Sequence, residues 1–418
     1  MDLAAVWERI HTRQRATLEP LAYSAFRRAF AARTVSSAGS WMLTVAAGWL
    51  IFELTRSAVA VGVLTMLSRA PGILAAYGGT LVDRFDPRRL AAVLFGVLFV
   101  PPAILAVIAW DNDASTTAIY VLVLIDGIVG SLAVPVLPTL IAGTVPKDML
   151  GRANSLGAVG YSIASLAGPL IGGALVTAVG AGACFAIDAV TYAIMAAVVL
   201  TLPQPAAAAE KAARGLRPAL RASHRGTTFF RILLTISLFA LLVGPVQELA
   251  PAIARSRGSG PHILGYLLAA LAAGGLVGNF FIGGADVDKH RRRQITGAEG
   301  LAFAATLVLL AVSGGLFLAM LAMFWTGVAW EAAFIQRLTW IQFDASPAMK
   351  GRMLGLLFAG YLLSLSLGAL IIGAAFDQLG IEDSLLICAG CVGLYAVWSI
   401  WDARHPITEP SERASSGS

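Results

Sequence analysis

The chain has 418 residues, of which 58% are hydrophobic and only 13% are charged. Its mean hydropathy is +0.78. Soluble domains carry about 25% charged residues, so this composition excludes an ordinary water-exposed surface. The net charge of +6 does not indicate nucleic-acid binding, because the basic residues lie beside apolar stretches on one predicted side of a membrane.

Apolar stretches of membrane-spanning length follow one another along nearly the whole chain. About 20 apolar residues in a helix cross the hydrocarbon core, and irregular backbone does not. The sequence therefore predicts an all-α membrane protein with twelve transmembrane helices. The predicted spans are 26–53, 58–82, 88–110, 116–142, 153–178, 181–202, 229–253, 262–284, 294–314, 316–342, 353–375 and 382–402.

Polar segments divide the chain into two halves of six helices each. We predict a cytoplasmic leader at 1–25, an N-terminal bundle at 26–202, a cytoplasmic linker at 203–228, a C-terminal bundle at 229–402 and a cytoplasmic tail at 403–418. The leader has no apolar core with a cleavage site, so we do not interpret it as a signal peptide.

The positive charges orient the predicted helices. With the N-terminus inside, the external segments hold only Arg56, Arg255 and Arg257 of the 30 Lys and Arg residues. This asymmetry is the positive-inside pattern. We therefore expect both termini in the cytoplasm.

The chain also contains an internal repeat. The stretch that begins at Gly79 recurs 205 residues later at Gly284, and Gly168 recurs 200 residues later at Gly368. Duplicated helical halves are typical of secondary transporters. Because each half has an even number of transmembrane helices, both halves insert into the membrane in the same orientation. The expected fold has two pseudo-symmetric six-helix bundles with a substrate cavity between them near mid-membrane.

One loop carries the most specific motif. The pattern Gly79-x-x-x-Asp83-Arg84-x-x-x-Arg88-Arg89 lies between the second and third predicted spans. It resembles the cytoplasmic-loop signature of the major facilitator superfamily. The resemblance implies a major facilitator fold and a conformational latch, in which the Asp83 carboxylate interacts with a helix N-terminus and nearby arginines. The alternative is that these charges only fix topology.

The loop motif has a second copy and one departure. Asp288 and Lys289 are the expected pseudo-symmetric latch, although Asp286 blurs the pattern. In the first copy, Asp86-Pro87 stands where the family usually has a Gly.

The fifth span carries Gly168-Pro169 and Gly172-Gly173, which resemble part of the antiporter signature of that superfamily. The earlier glycine of that signature is missing, since Ala164 takes its place. The resemblance implies a helix bend that limits leak and helps the halves to move. Close helix packing is the alternative.

Residues 33–37, 41–42 and 54–58 resemble a bacterial branch of exporters that includes enterobactin-type siderophore exporters.

Four charges within or beside the spans are candidates for proton coupling. Asp126 and Glu331 lie about ten residues or more into the fourth and tenth spans. A carboxylate at that depth costs roughly 3 kcal/mol and usually marks a cavity or an ion pathway. Arg69 is expected to pair with Asp126. Drug–proton exporters often have an Arg four residues before a Gly in the fourth span, whereas here Asp126 precedes Gly130, which argues against transferring their mechanism directly.

Two further carboxylates are expected nearer the outer face. Glu248 follows Gly244-Pro245 in the seventh span and is a candidate for a gate or for coupling. Asp188, in the sixth span, is a candidate for the same roles, and an interfacial position is the alternative for both residues.

Aromatic and methionine side chains are the candidates for an apolar cavity wall. They are Trp41, Met42, Trp49, Met66, Tyr161, Trp325, Trp330 and Phe334.

No catalytic or cofactor-binding pattern is found. The chain has no P-loop lysine, no nucleophile elbow and no metal-ligand spacing among its five His residues. Cys184, Cys388 and Cys391 all fall in predicted spans, so we expect no disulfide framework, no metal and no cofactor.

The sequence thus predicts a monomeric, non-enzymatic carrier that works by alternating access. Its expected partners are a small-molecule substrate, protons and the lipid bilayer. Proton-coupled efflux of amphipathic molecules is the main hypothesis: drugs, a siderophore or another secreted metabolite. Two alternatives remain, a carrier of lysophospholipid or other lipid-like cargo and a transport-incompetent membrane sensor or scaffold.

Overall fold

A computed structural model describes residues 18–82, 84–111, 113–204, 228–258, 260–281 and 288–404. The predictions for Asp83, for most of the leader and for nearly all of the linker and the tail lie outside the described residues. Within them, eleven helices are long and apolar enough to cross a membrane. The remaining predicted span, 58–82, is helical in three consecutive pieces.

The first six spans, α1 to α6, agree with the predicted stretches to within a few residues. Two are interrupted where proline removes a backbone donor: α3 at Phe99, before Pro101-Pro102, and α4 at Val134-Pro135. The spans are α1 Ser24–Thr55, α2 58–82 (Ala58–Arg69, the 3-10 turn Ala70–Leu74 and Ala75–Val82), α3 Pro87–Trp110, α4 Thr116–Ala142, α5 Leu150–Val179 and α6 Ala181–Leu200.

The last six spans, α7 to α12, repeat this pattern. The α7 helix is broken near Gly244-Pro245. Between α11 and α12, Gly380 has φ +90°, and Gly180 has φ +91° between α5 and α6. The 200-residue repeat therefore preserves a glycine of positive φ at this connection. The spans are α7 228–257 (Thr228–Leu242, Pro245–Glu248 and Ala250–Arg257), α8 Pro261–Phe281, α9 Lys289–Val312, α10 Leu316–Asp344, α11 Pro347–Leu379 and α12 Ile381–Arg404.

The described residues group into two compact units. Those within Met1–Thr55, Ala70–Lys211 and Gly260–Ala269 form unit 1. Those within Arg56–Arg69, Ala212–Ser259 and Ala270–Ser418 form unit 2. Each unit thus includes one short segment that belongs to the other half of the sequence.

The segment that unit 2 takes is the first part of α2, which packs on α11. A Cβ on Gly373 would lie 2.8 Å from the Ala58 carbonyl oxygen, so only glycine permits this approach. Asp377 in α11 accepts hydrogen bonds from Ser57 Oγ at 2.5 Å, Ala58 N at 2.7 Å and Val59 N at 3.1 Å. These bonds satisfy donors that a helix start leaves unpaired.

The segment that unit 1 takes is the first part of α8, which packs on α5. A Cβ on Gly173 would lie 2.8 Å from the Pro261 carbonyl oxygen. Gly173 and Gly373 therefore play the same packing role at a spacing of 200. Thr177 occupies the place that corresponds to Asp377, and its hydroxyl donates to Gly173 O instead.

Asp86 begins α3 by accepting hydrogen bonds from the backbone N–H groups of Arg88 at 2.8 Å and Arg89 at 3.3 Å. Gln204 donates a further hydrogen bond of 2.7 Å. The Gln204 bond, followed by the backbone bonds, lowers the pKa of Asp86 below its usual value. The departure from the family motif at this position is thus a helix N-cap.

We expect Asp86→Ala to lower the free energy of unfolding by about 1 kcal/mol, the usual effect of losing a cap. Because the pKa of Asp86 is lower in the folded state, the ionised carboxylate stabilises the fold fully above the unfolded pKa of about 4. That contribution is lost as the pH falls through the folded pKa. The measurement is denaturant unfolding of wild type, Asp86→Ala and the capping control Asp86→Ser between pH 3 and pH 8. If the difference in the free energy of unfolding between wild type and Asp86→Ala became larger at acid pH, the prediction would be contradicted.

Candidate functional site

The described part of the latch motif is organised around helix starts. Gly79 lies in the last part of α2, and Arg84 and Arg89 are exposed. The Arg88 guanidinium donates to Leu202 O at 3.2 Å and lies 3.8 Å from Asp86. The contacts among these described residues connect the start of α3 to the end of α6, within unit 1.

The second copy of the motif caps a helix as well. The exposed Asp288 accepts a hydrogen bond of 2.8 Å from Arg291 N and thereby begins α9. Lys289 is the first residue of that helix. Asp288 therefore has the local geometry of Asp86, and its latch role remains a prediction.

Unit 1 contains a buried polar cluster, which we call the carboxylate cluster: Asp126 from α4, Asp188 and Tyr192 from α6 and Ser40 from α1. Ser40 Oγ lies 3.4 Å from Asp188 Oδ1 and 3.2 Å from the Tyr192 hydroxyl. Gly39 allows this approach, because a Cβ there would lie 2.8 Å from Asp188 Oδ1.

The two carboxyl groups of the carboxylate cluster have unsatisfied oxygens. Asp188 is 0% exposed, and the buried atoms Asp188 Oδ2 and Asp126 Oδ1 have no hydrogen-bond partner. Asp126 acts electrostatically on both Asp188 and Tyr192. Asp188 therefore lies inside the unit, which argues against the interfacial alternative. Two carboxyl groups that share a buried site accommodate one proton between them more easily than two negative charges.

Arg69 and Glu248 form an ion pair in unit 2. Arg69 Nη2 lies 3.3 Å from Glu248 Oε1, and Thr65 Oγ1 lies 3.4 Å from Glu248 Oε2. The Glu248 side chain is only 6% exposed. Arg69 thus has a partner, Glu248, that the sequence did not assign to it, because the first part of α2 packs with α7 and α11. The pair connects α2 to α7, and the gate role of Glu248 stays a prediction, as does the pairing of Arg69 with Asp126 of unit 1.

Glu331 lies in α10 of unit 2, beside a closely packed glycine. A Cβ on Gly275 would lie 3.0 Å from Glu331 Cγ, and Asn279 of α8 hydrogen-bonds the carboxylate. Glu331 therefore has a neutral hydrogen-bond partner, whereas Glu248 has a cation. This difference makes Glu331 the better candidate of the two for binding a proton.

The structure reveals a second ion pair deep in unit 2. Arg337 of α10 is 0% exposed, pairs with Glu299 of α9 and donates to Thr296 Oγ1 at 3.1 Å. Its guanidinium also lies over the rings of Trp340 at 5.3 Å and Phe239 at 5.6 Å. Arg337 lies within the predicted span 316–342, and nothing in the sequence indicates that Glu299 is its partner.

The glycines of the α5 motif serve close packing within unit 1. A Cβ on Gly168 would lie 2.6 Å from Trp41 Cβ, and one on Gly172 would lie 3.1 Å from Met42 Cα. Pro169 lies inside α5, and its carbonyl oxygen would be 2.6 Å from a Cβ on Gly265. The motif therefore lets α1 and α8 approach α5 on two sides.

A cavity of about 350 Å³ opens in unit 1 between α1, α4 and α5. Arg33, Asn154 and Tyr161 supply its polar groups, and the other lining residues are mainly apolar. Arg33 forms no ion pair with any residue that the structure describes. An apolar cavity with one cation suits an amphipathic ligand that carries an acidic or phenolic group.

The predicted wall residues separate into buried and accessible ones. Met42 and Trp49 are buried, while Tyr161 is 52% exposed, and its ring lies 6.5 Å from that of Trp41. In unit 2, Met66 and Trp325 are exposed.

Trp330 and Phe334 flank Tyr361 in unit 2, with ring centroids 5.9 and 5.6 Å away. These three residues form an aromatic cluster that joins α10 to α11.

A family model described as transmembrane secretion effector matches residues 15–417. The chain is 27% identical over 394 residues to the uncharacterised MFS-type transporter YfiS of Bacillus subtilis, covering 87% of this chain and 89% of that relative. It is also 27% identical over 368 residues to the enterobactin exporter EntS of Shigella flexneri, covering 84% of this chain and 85% of the exporter.

Solved structures show the same architecture. A bacterial homologue of the human lysosomal transporter Spinster superposes with a TM-score of 0.71 at 15% identity, over 92% of this chain and 97% of that one. The nucleoside transporter NupG superposes with a TM-score of 0.64 at 17% identity, over 90% and 98%. This likeness confirms the predicted fold of two six-helix bundles.

Proposed function

Because this chain belongs to the transmembrane secretion effector family of the major facilitator superfamily, and is thus a multi-pass membrane transporter, we propose that it is a proton-driven exporter of amphipathic small molecules. It works by alternating access in the bacterial plasma membrane, as a monomer with both termini in the cytoplasm. The relatives and the fold support transport, the enterobactin exporter among the relatives supports export, and the arrangement of buried charges supports proton coupling.

The carboxylate cluster is the observation that carries the proposal. Asp126 and Asp188 have buried oxygens without partners, and neither forms an ion pair with a described residue. A purely structural carboxylate normally has a cation or several hydrogen-bond donors when it is buried. A site that gains and loses a proton during each cycle needs neither. Glu331, with Asn279 as its neighbour, is the corresponding candidate in unit 2.

The cargo class follows from the cavity beside Arg33. Its lining is mainly apolar, with Arg33, Asn154 and Tyr161 as its polar groups. The relative from Shigella flexneri is an enterobactin exporter, and a siderophore is one cargo of this kind. We therefore place acidic or phenolic amphipathic metabolites ahead of cationic drugs.

Flux measurements in proteoliposomes test the proposal. The purified protein is reconstituted with its entry side facing the bath, and an amphipathic fluorescent dye is added outside while the lumen is acidic. Proton flow out of the lumen should then drive dye accumulation, and a protonophore should abolish it. Flipping of a fluorescent lysophospholipid without a gradient would favour the lipid-carrier alternative. Dye binding without flux would favour the sensor.

A further inference from the structure

Unit 2 contains a cavity lined by arginines, which the transport proposal does not use. We propose that it binds the phosphate group of an anionic phospholipid. The arginine cavity, as we call it, has a volume of about 60 Å³. Its charged and indole-bearing lining consists of Arg231, Arg292, Arg293, Arg337, Trp340, Trp398 and Asp402.

Four helices bring these residues to the same end of unit 2. Arg231 lies in the first turn of α7, and Arg292 and Arg293 lie in the first turn of α9. Arg337 lies two turns before the end of α10, and Asp402 lies in the last turn of α12. Because α7 and α9 begin where α10 and α12 end, the cationic side chains converge on one level of the membrane.

The cavity has more positive than negative charge. Asp402, itself 2% exposed, is shared by two cations: it pairs with Arg231 and lies 3.4 Å from Arg293. Arg292 binds Asp344 through two bonds of 2.5 and 3.0 Å. Among the residues that the structure describes, and with Glu299 beside Arg337, four guanidinium groups face three carboxylates, and of these three Asp402 lines the cavity.

Two donors in the cavity wall lack acceptors. The buried atoms Arg337 Nε and Trp340 Nε1 have no hydrogen-bond partner. Both side chains are almost fully buried, at 0% and 3% exposure, and both line the cavity. A buried donor without an acceptor costs free energy comparable to a lost hydrogen bond. A phosphate, which offers only acceptors and a negative charge, satisfies both donors and balances the excess cation.

The size and the rim of the cavity favour a lipid headgroup over a free anion. A water needs roughly 10–15 Å³ of such space, so this cavity takes a group of several heavy atoms. Trp398 is 46% exposed and Leu234 is 42% exposed at its edge, which supplies an apolar path for acyl chains. Exposed tryptophan beside arginine is typical of the headgroup level. With both termini in the cytoplasm, this end of unit 2 faces the inner leaflet; that assignment rests on the proposed orientation, whereas the phosphate site does not.

The test measures lipid binding to the full-length protein in neutral detergent, by thermal unfolding during titration. The probes are phosphatidylglycerol, zwitterionic phosphatidylcholine and inorganic phosphate. Trp340→Phe keeps an aromatic ring, although a smaller one, and removes the N–H donor, and Arg293→Gln removes one charge beside Asp402. Arg255→Gln changes an exposed arginine at the far end of α7 and is the matched control.

We expect phosphatidylglycerol to stabilise wild type and Arg255→Gln equally, with a Kd about tenfold weaker in Trp340→Phe and Arg293→Gln, as for one lost charge-assisted hydrogen bond. Phosphatidylcholine should bind more weakly than phosphatidylglycerol. If only inorganic phosphate stabilised the protein, and both variants weakened its binding, the cavity would be a site for free phosphate and the lipid assignment would be overturned. Equal phosphatidylglycerol affinity in all four proteins would overturn the proposal, whatever the stability of the unliganded variants.

Discussion

Asp126→Asn is expected to abolish gradient-driven transport while leaving the protein folded. The amide has the shape of the carboxyl group but cannot release or take up a proton, so the cycle loses its coupling. We expect dye accumulation under a pH gradient to fall by about a hundredfold, the scale on which loss of a positioned proton-transfer group acts. Removing a partnerless buried charge should not lower the thermal unfolding temperature.

Three comparisons make this result specific. Asp188→Asn should have the same phenotype, because both carboxyl groups belong to the carboxylate cluster. Asp111→Asn changes an exposed carboxylate that ends α3 and should transport normally. Exchange of labelled for unlabelled dye without a gradient should continue in Asp126→Asn, since exchange needs no net proton movement. Unchanged gradient-driven accumulation by this variant would refute proton coupling at Asp126.

Arg337→Met is expected to be the most destabilising single change in unit 2. It removes the cation from Glu299 and leaves a buried carboxylate that is 9% exposed. Breaking one side of a buried ion pair typically costs 3–5 kcal/mol. We expect a loss of that size in the free energy of unfolding, measured by denaturant titration of the purified protein, and a lower yield of folded protein in membranes.

The double variant Arg337→Met/Glu299→Gln separates the ion pair from simple packing. Replacing both charges removes the stranded carboxylate, so we expect most of the lost stability to return. Arg337→Lys keeps the charge but loses the fork that reaches Thr296, and its stability should be intermediate. A double variant no more stable than Arg337→Met would show that the arginine acts through its packing on Trp340.

Much of the architecture could be predicted because its signals are local. Each span is an apolar stretch of sufficient length, and the breaks in α3, α4 and α7 lie beside prolines. The internal repeat predicted two related halves, and the structure shows equivalent glycines of positive φ at Gly180 and Gly380, 200 residues apart. Neither signal depends on how the helices are rotated.

The partners of the buried charges could not be predicted, because pairing depends on the rotation of each helix and on its neighbours. Glu248 was not expected as the partner of Arg69, because the two residues are far apart in the sequence and meet only where the first part of α2 packs with α7 and α11. Glu299 is the eleventh residue of α9. It is close to the arginine-rich start of that helix, so the sequence suggests a surface position for it. Its depth within an otherwise apolar stretch was the available signal.

The hydrogen bonds from Asp377 to the start of α2 also have a consequence for biogenesis. The bond between Ala58 N and Asp377 joins residues 319 positions apart in the chain. While the ribosome is still synthesising the middle of the protein, the inserted second helix lacks the carboxylate that completes its first turn. The amino-terminal half therefore cannot reach its final form by itself, and maturation of its earliest helical hairpin awaits nearly the last segment to be translated.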